Sequence, residues 1–445
     1  MESIKKLCVV SCPVATRSGY GARARDFVRA LIESKPDWDI HIISQRWGQT
    51  AMDVLKEDTD MDLLSRIVTE KMDKKPNVWI QITVPNEFQP IGDYNIGVTA
   101  GVETTVMPPE CLEGINRMDL TLVSSNFTKE VIQSSVFDKK DKDSNKSMGT
   151  LKLEKPVEVL FEGIDLDIYN EKAPSEPGID NTLKGVKEDF AFLFVGHWLK
   201  GEFFQDRKNV SGLIWSFLNT FKNKSKPPAL ILKTSMGSTS LVDRVRLRSL
   251  IENIKAQVDS KKLPPIYLLH ADLSDAEINA LYNHPKVKAH ISFTRGEGFG
   301  RPLLEATISG KPMIVSGWSG QMDFINPEFV SVIPGELTEV HESAADKFLL
   351  KDAKWFTVDY QAAMGVMRDM YKNHKSYLEK SRKHRKYSKD NFSYQKMVEV
   401  VGTLIDDTKV PTTPSVVGLK LPRLKKVGAP VDLPKLKLPK LKKIN

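Results

Sequence analysis

A chain of 445 residues, 40% hydrophobic and 27% charged, is longer than one hydrophobic core usually supports and apolar enough for two, which excludes an intrinsically disordered protein. No apolar run approaches the roughly 20 residues needed to cross a bilayer, and Cys8, Cys12 and Cys111 make neither a disulfide framework nor a metal-ligand set. The formal charge of +8 belongs to the tail: residues 408–445 hold nine Lys, one Arg and one Asp, leaving −1 on the first 407 residues.

The opening MESIKKLCVVSCPV has too short an apolar stretch for a signal peptide, so the cytoplasm is the expected compartment. Residues 5–14 read as a buried first strand, followed by a turn from Ala15 to Gly21 and an amphipathic helix to about Ile32. Gly19-Tyr20-Gly21 is either a plain tight turn or a loop that offers its backbone to a ligand, because Gly-x-Gly alone does not complete a dinucleotide fingerprint. Strands recur at 40–44, 78–84, 96–99 and 120–124 between helical or loop segments, the pattern of a parallel sheet covered by helices. Ligands of such sheets sit at the carboxyl ends of strands. Glu103 follows one of those ends and is either a solvated loop residue or a group facing a ligand. The acids Asp58, Asp60 and Asp62 read as a solvated, helix-capping run.

In the string VEVLFEGIDLDIYN at 157–170, Asp165 and Asp167 invite a metal reading. Residues 171–186, polar with Pro and Gly, are the expected linker. A second unit opens with a buried strand at 190–196 and leads, past His197 and through Arg207 and Lys208, into the helix RKNVSGLIWSFLNTF. Strands at 229–234 and 265–270 and an amphipathic helix at 274–282 continue the alternation, while 353–405 reads as helical.

Residues 288–324, KAHISFTRGEGFGRPLLEATISGKPMIVSGWSGQMDF, carry most of the functional information. An apolar strand around Ile291 and Phe293 runs into Gly296-Glu297-Gly298-Phe299-Gly300, where glycine tolerates a sharp turn. Pro302 suits the first turn of a helix, Leu303, Leu304, Ala306 and Ile308 its buried side, and Gly310 its end. A helix N-terminus behind a glycine loop is a seat for phosphate. Two nearby carboxylates repel phosphate but accept from hydroxyls, so Glu297 and Glu305 suit a ligand carrying both, such as a nucleotide sugar. The bland alternative is an ordinary βα turn with two solvated glutamates.

The spacing of Glu297 and Glu305, the intervening GFGRPLL and the following GKPMIVS resemble the signature of retaining, nucleotide-sugar-dependent glycosyltransferases with two Rossmann-like domains, the GT-B fold. The resemblance spans roughly residues 5–405. It implies an α/β protein of two Rossmann-like domains facing a cleft: an acceptor-side domain at 1–172, a donor-binding domain at 187–375, and closing helices at 376–407, whose FSYQKM at 392–397 marks the crossing back to the first domain.

In such enzymes the first glutamate and the glycine-loop amides meet the sugar while the second glutamate holds the ribose, roles that carry to Glu297, Gly298, Phe299, Gly300, Leu303 and Glu305. Gly19, Tyr20 and Gly21 become candidate contacts to the donor diphosphate and sugar, and Glu103 a candidate on the acceptor side. A glycine-arginine pair and a lysine clamp the diphosphate in the family. Lys208 fits the lysine, but His197 stands where arginine is usual, leaving Arg207 as its substitute. Trp318 to Gln321 occupy a place that often lines the donor site. No cofactor or metal is implied, and the donor sugar nucleotide is itself the substrate, so Asp165 and Asp167 are not read as ligands.

From Thr408 onward six prolines and three LPxLK repeats give no helical period, so the tail is expected to be extended or disordered alone. It is either a solvated linker or a docking strip for a polyanion, DNA or an anionic membrane surface. The acceptor reading follows: hydroxymethylated cytosine in DNA, as in viral enzymes of this fold, or a lipid or polysaccharide of the cell envelope. An epimerase or hydrolase of nucleotide sugars, and an inactive polyanion-binding protein, are the other classes that this sequence admits.

Overall fold

The computed structural model of the chain describes residues 5–70, 72–140, 147–172 and 174–410. The first sheet is built from β1 (Leu7–Cys12), β2 (Asp39–Ser44), β3 (Val78–Ile82), β4 (Tyr94–Thr99) and β5 (Leu120–Val123). After the antiparallel hairpin of β6 (Phe137–Lys140) and β7 (Ser147–Leu151), β8 (Val157–Val159) completes it, in the all-parallel order β2-β1-β3-β4-β5-β8. Helices α1 (Gly19–Ser34), α2 (Met61–Leu64), α3 (Pro109–Asn116) and α4 (Asn126–Ser134) accompany these strands.

Strand residues alternate between the two faces of a sheet. Cys8, Val10, Ile80 and Ile96 therefore pack against Phe27 and Leu31 of α1, while Val9 and Trp79 pack with Leu112 and Ile115 of α3 on the opposite face. Burial on both faces is why these strands read as continuous apolar runs.

The second sheet repeats the plan. Helix α5 (Pro177–Leu183) precedes β9 (Ala191–Val195), α6 (Val210–Phe221), β10 (Ala229–Lys233), α7 (Leu241–Ala256), β11 (Ile266–Leu269) and α8 (Asp275–Asn283). Then come β12 (Val287–Ser292), α9 (Arg301–Ile308), β13 (Met313–Ser316) and β14 (Ser331–Ile333), giving the parallel order β11-β10-β9-β12-β13-β14. The hairpin β15 (Gly335–Glu339) and β16 (Lys354–Val358) leads to α10 (Tyr360–Lys372), α11 (His374–Asn391) and α12 (Tyr394–Leu404).

Helix α12 belongs to the first core despite its place in the chain. The backbones of Ile164 and 392–394 pair at the crossing, with Ile164 N donating to Phe392 O at 2.9 Å and Tyr394 N to Ile164 O at 2.8 Å. Met397, Val398, Val401, Ile405 and Val410 then bury themselves beside Phe27 and Leu31.

Several expectations change. Helix α1 starts at Gly19, because Ser18 caps it by accepting from Gly21 N at 3.0 Å, so Gly19 to Gly21 form a first helical turn and not a free loop. The span 353–405 is not wholly helical: Trp355, Phe356, Thr357 and Val358 are strand formers, and they pair with β15 before Asp359 caps α10. The expected linker at 171–186 contains α5, whose Ile179 and Leu183 pack with Ile278 and Leu281 of α8. Asp60 and Asp62 do not cap α2 through their side chains; they hold Arg29 of α1 at 2.6 and 2.8 Å. Of the basic tail, only residues 408–410 are among those described. No helix among the described residues is long and apolar enough to cross a membrane.

Replacing Met397 with Ala removes a side chain with 0% exposure from the first core, and should cost about 2–5 kcal/mol. Chemical denaturation should report a lower midpoint; an unchanged midpoint would show that α12 does not close that core.

Candidate active site

In the second sheet the strand order reverses between β9 and β12, the position where open α/β sheets bind ligands. The loops leaving these two strands lie together, Arg295 N donating to Arg207 O at 2.8 Å. Against them from the first sheet comes the loop after β4. A Cβ on Gly296 would stand 1.9 Å from the Glu103 carbonyl oxygen, and one on Gly298 would stand 2.1 Å from that of Ala100. These two glycines are required by close backbone approach, whereas Gly300, at φ +96°, is the residue of the motif in the left-handed region. Ser125 Oγ donates to Gly298 O at 2.6 Å, and Ser124 Oγ lies 2.6 Å from Ala100 O and 3.1 Å from Gly298 O, so the junction is bonded across both halves.

Gly300 caps α9, and Gly310 at φ +67° follows its end. Among the described residues no acceptor takes the N–H groups of Gly298, Phe299, Gly300 or Arg301, which leaves the positive end of α9 open. Phe299 turns its ring into the core against Phe324, and Leu303 is buried there too, so these two contribute backbone and packing. Ser319 adopts φ +75°, a left-handed conformation costing about 1–3 kcal/mol for a non-glycine residue. It is held by its hydroxyl, which accepts from Glu297 N at 2.9 Å, while Gly320 N donates to Glu297 O at 2.9 Å.

The Glu297 carboxylate so positioned meets two cations. Lys208 Nζ donates to Oε1, and Arg207 Nη1 lies 3.7 Å from Oε2 and 3.6 Å from Glu103 Oε1 while donating to Gly296 O at 2.8 Å. Burial works against the charge on Glu297, but the Lys208 and Arg207 cations outweigh it and hold the carboxyl below its usual range. Burial likewise opposes the Arg207 guanidinium, which Glu103 and Glu297 keep charged. Lys208 lies on the turn before α6 and not within it, because Asn209 at φ +52° is the cap. His197 sits at the end of β9 with Nδ1 3.0 Å from Ser235 Oγ. Although the residue is exposed overall, desolvation of its ring and the cations Lys208, Lys233 and Arg207 lower its pKa, so it is neutral at pH 7.

Glu305 is 8% exposed and faces a separate set of partners. Arg301 Nε donates to its Oε1 at 3.0 Å and Tyr282 Oη to its Oε2 at 3.3 Å. Arg301 also pairs with Asp26 of α1 and lies 3.9 Å from Glu162, so one partly buried guanidinium joins the second glutamate to the first sheet's helix. Desolvation raises Glu305 to about 7, against the pull of Arg301.

Gly19 is exposed with open space around it, whereas a Cβ on Gly21 would stand 2.1 Å from Thr16 O. Tyr20 stacks on Trp47 at 4.1 Å, and its hydroxyl lies 2.9 Å from Thr99 Oγ1 and accepts from Ala100 N at 3.1 Å, which ties the ring to the β4 loop. Trp318 packs edge-on to Phe127 of the first half at 4.7 Å. Asp165 caps its own turn, accepting from Asp167 N at 2.8 Å.

Thus Glu103, Arg207, Lys208, Glu297 and the glycine loop come together, with His197 close to the two cations, while Glu305 stands in its own network and Tyr20 in the first half's wall. Sequence reading missed Asp26, Arg301, Tyr282 and Lys233. Two of these left a signal: Arg301, four residues before Glu305 on one helix, and Lys233, a lysine that ends the apolar strand ALILK.

No family model and no curated protein sequence matches the chain. Solved structures do. A glycosyltransferase from Rickettsia africae superposes with a TM-score of 0.59 at 14% identity, covering 91% of this chain and 99% of that one. HepE of Anabaena, solved with UDP and glucose, gives 0.57 at 11% identity over 90% and 99%. Sucrose-phosphate synthase from Thermosynechococcus elongatus gives 0.57 at 10% identity over 90% and 98%. The chain therefore has the GT-B fold, two Rossmann-like units facing a cleft.

Glu305 provides a check that needs no substrate. Its folded pKa of about 7 lies above the roughly 4.3 of an unfolded glutamate, so the native state binds the extra proton and stability falls as pH rises between those values. Glu305→Gln should therefore gain stability relative to wild type across that window, by up to roughly 4 kcal/mol at pH 8. Melting temperatures at pH 4 and pH 8 measure it; a constant difference would remove the strained carboxylate.

Proposed function

We propose that the protein is a retaining glycosyltransferase that moves a sugar from a nucleoside-diphosphate donor to a hydroxyl acceptor. The observation carrying this reading is the Glu297 carboxylate gripped by Lys208 and Arg207 beside the open amides of α9. Lys208, Arg207, Glu297 and Glu103 sum to zero charge, so a diphosphate arriving at α9 competes with Glu297 for the two cations. Once engaged, they and the helix end stabilise the charge that grows on the leaving diphosphate.

Chemistry then needs little more than position. The bond from the anomeric carbon to the phosphate oxygen breaks with its electrons going to the phosphate. The acceptor oxygen bonds the same face of that carbon, and its proton passes to the departing phosphate. Glu297 orients the sugar and Glu305 the ribose; His197, neutral, donates or accepts at the diphosphate edge. Glu103, beside Arg207, faces the acceptor. The solved neighbours include an enzyme with UDP and glucose bound, which supports a sugar nucleotide as donor.

For the acceptor we favour a hydroxylated base in DNA, hydroxymethylated cytosine. The +9 tail supports it, as do the exposed cations Lys375, Lys380, Arg382, Lys383 and Lys386 of α11, a helix face without exposed apolar residues that would enter a bilayer. Donor cleavage should occur only when acceptor is present; cleavage without acceptor would make the protein a hydrolase.

Glu297→Ala should lower transfer at least about a hundredfold. Lys208→Ala should bind the free nucleoside as wild type does and its diphosphate less tightly; equal losses for both ligands would move this lysine away from the phosphates. A chain ending at Val410, which keeps that buried residue, should turn over a short acceptor normally yet bind duplex DNA with a flatter salt dependence. An unchanged salt slope would sink the DNA reading, and selective loss of binding to anionic vesicles would move it to the envelope.

A further inference from the structure

Strand β10, ALILK, divides its side chains between two layers. Leu230 and Leu232 join the core shared with α6, α7 and α10, whereas Ala229 and Ile231 join the one shared with α8 and α9. By the same alternation Lys233 stands on the α8–α9 side. It occupies the carboxyl end of the strand, paired in register with Val195 of β9 and Leu269 of β11. Its ammonium is partly buried and, among the described residues, makes no hydrogen bond or ion pair.

That condition separates it from the other cations of the cleft. Lys208 and Arg207 are engaged by Glu297 and Glu103. Lys233 feels Asp272 and Glu305, yet neither comes within ion-pair distance, and burial weakens its hold on the proton. A partly buried donor without an acceptor is costly, and a ligand that supplies the acceptor recovers that cost.

The cleft orders a nucleotide. The α9 amides with Lys208 and Arg207 mark the phosphate end. Glu305 lies four residues after Arg301, about 6 Å along the helix axis, and marks the ribose. Lys233 stands on the α8–α9 side of the sheet, beside β11 and within electrostatic reach of Glu305 and Asp272, so a base attached to that ribose is the part of the nucleotide it would meet. A lysine offers three donors and no acceptor, so a base facing it must present an oxygen. Uracil and thymine do so at position 4 and guanine at position 6, where cytosine and adenine carry amino groups.

We propose that Lys233 reads the donor's nucleobase through a carbonyl oxygen and selects uridine, thymidine or guanosine diphosphates over those of cytidine and adenosine. This rests on the donor-site reading above, which it deepens by naming the class of nucleotide. A site built to donate to one group discriminates strongly against an analogue that cannot accept.

The experiment is calorimetric titration of the full chain with UDP against CDP and with GDP against ADP. Wild type should bind at least one keto base about tenfold tighter than its amino counterpart. Lys233→Met, similar in length but without a donor, should bring that pair to within about twofold, and Lys233→Gln, with both a donor and an acceptor, should do likewise while binding both members more tightly than the Met variant. Circular dichroism of each variant establishes that the fold is retained. Equal binding of keto and amino bases by wild type overturns the inference, as does a preference that survives in folded Lys233→Met. A uniform loss for all four ligands would place the ammonium on ribose or phosphate and overturn it as well. Binding of none of the four by wild type would instead remove the donor site itself, and this inference with it.

Discussion

Backbone meets backbone where the two halves join. Gly296 and Gly298 press against the carbonyls of Glu103 and Ala100 so closely that no side chain fits, and Ser124 and Ser125 bond across the seam. The rest of the site depends on that contact. It brings Glu103 from the first half to within 3.6 Å of Arg207 in the second, and Arg207 in turn braces Glu297. A methyl group at either glycine would drive the halves apart and disperse this cluster without touching a single charged residue.

Charge is distributed in two compartments. Around Glu297 two cations face two carboxylates, so their formal charges cancel. Around Glu305 the balance differs: Arg301 serves Asp26, Glu305 and, at longer range, Glu162, with Arg23 buried nearby. Desolvation raises both carboxyls; at Glu305 it outweighs the pull of Arg301, and at Glu297 the Lys208 and Arg207 cations outweigh it, which is why Glu305 rises to about 7 while Glu297 falls. Two glutamates eight positions apart on one motif thus have opposite electrostatics, set by neighbours from distant parts of the chain.

Those neighbours mark the boundary of what the sequence discloses. Apolar runs such as LCVVSC, AFLFV and ALILK identified the parallel sheets, and the strand, glycine loop and helix of 288–310 were legible because each local signal agrees with the fold. The pairing of Asp26 with Arg301 spans 275 residues and has no local trace. Nor did Gly296 and Gly298 reveal why they are glycine: a turn was the natural reading, and the cause is a loop nearly 200 residues earlier. The β15–β16 hairpin escaped notice because the strand residues of 354–358 run directly into the helical pattern of α10. Lys233 was visible, but that its ammonium meets no partner among the described residues is something only the fold determines.

The return of α12 has a further meaning for how the molecule is made. The first core is assembled from both ends of the chain, since Phe27 and Leu31 are sealed by Met397, Val401 and Val410. During synthesis the amino-terminal sheet must therefore wait, one flank bare, while the entire second sheet emerges and folds. The order of completion is the reverse of the order of translation: the later half can close first, and the earlier half finishes only when residue 410 leaves the ribosome. The exposed flank of α1 in that interval is where a chaperone would hold the nascent chain, and where a stalled or truncated product would aggregate.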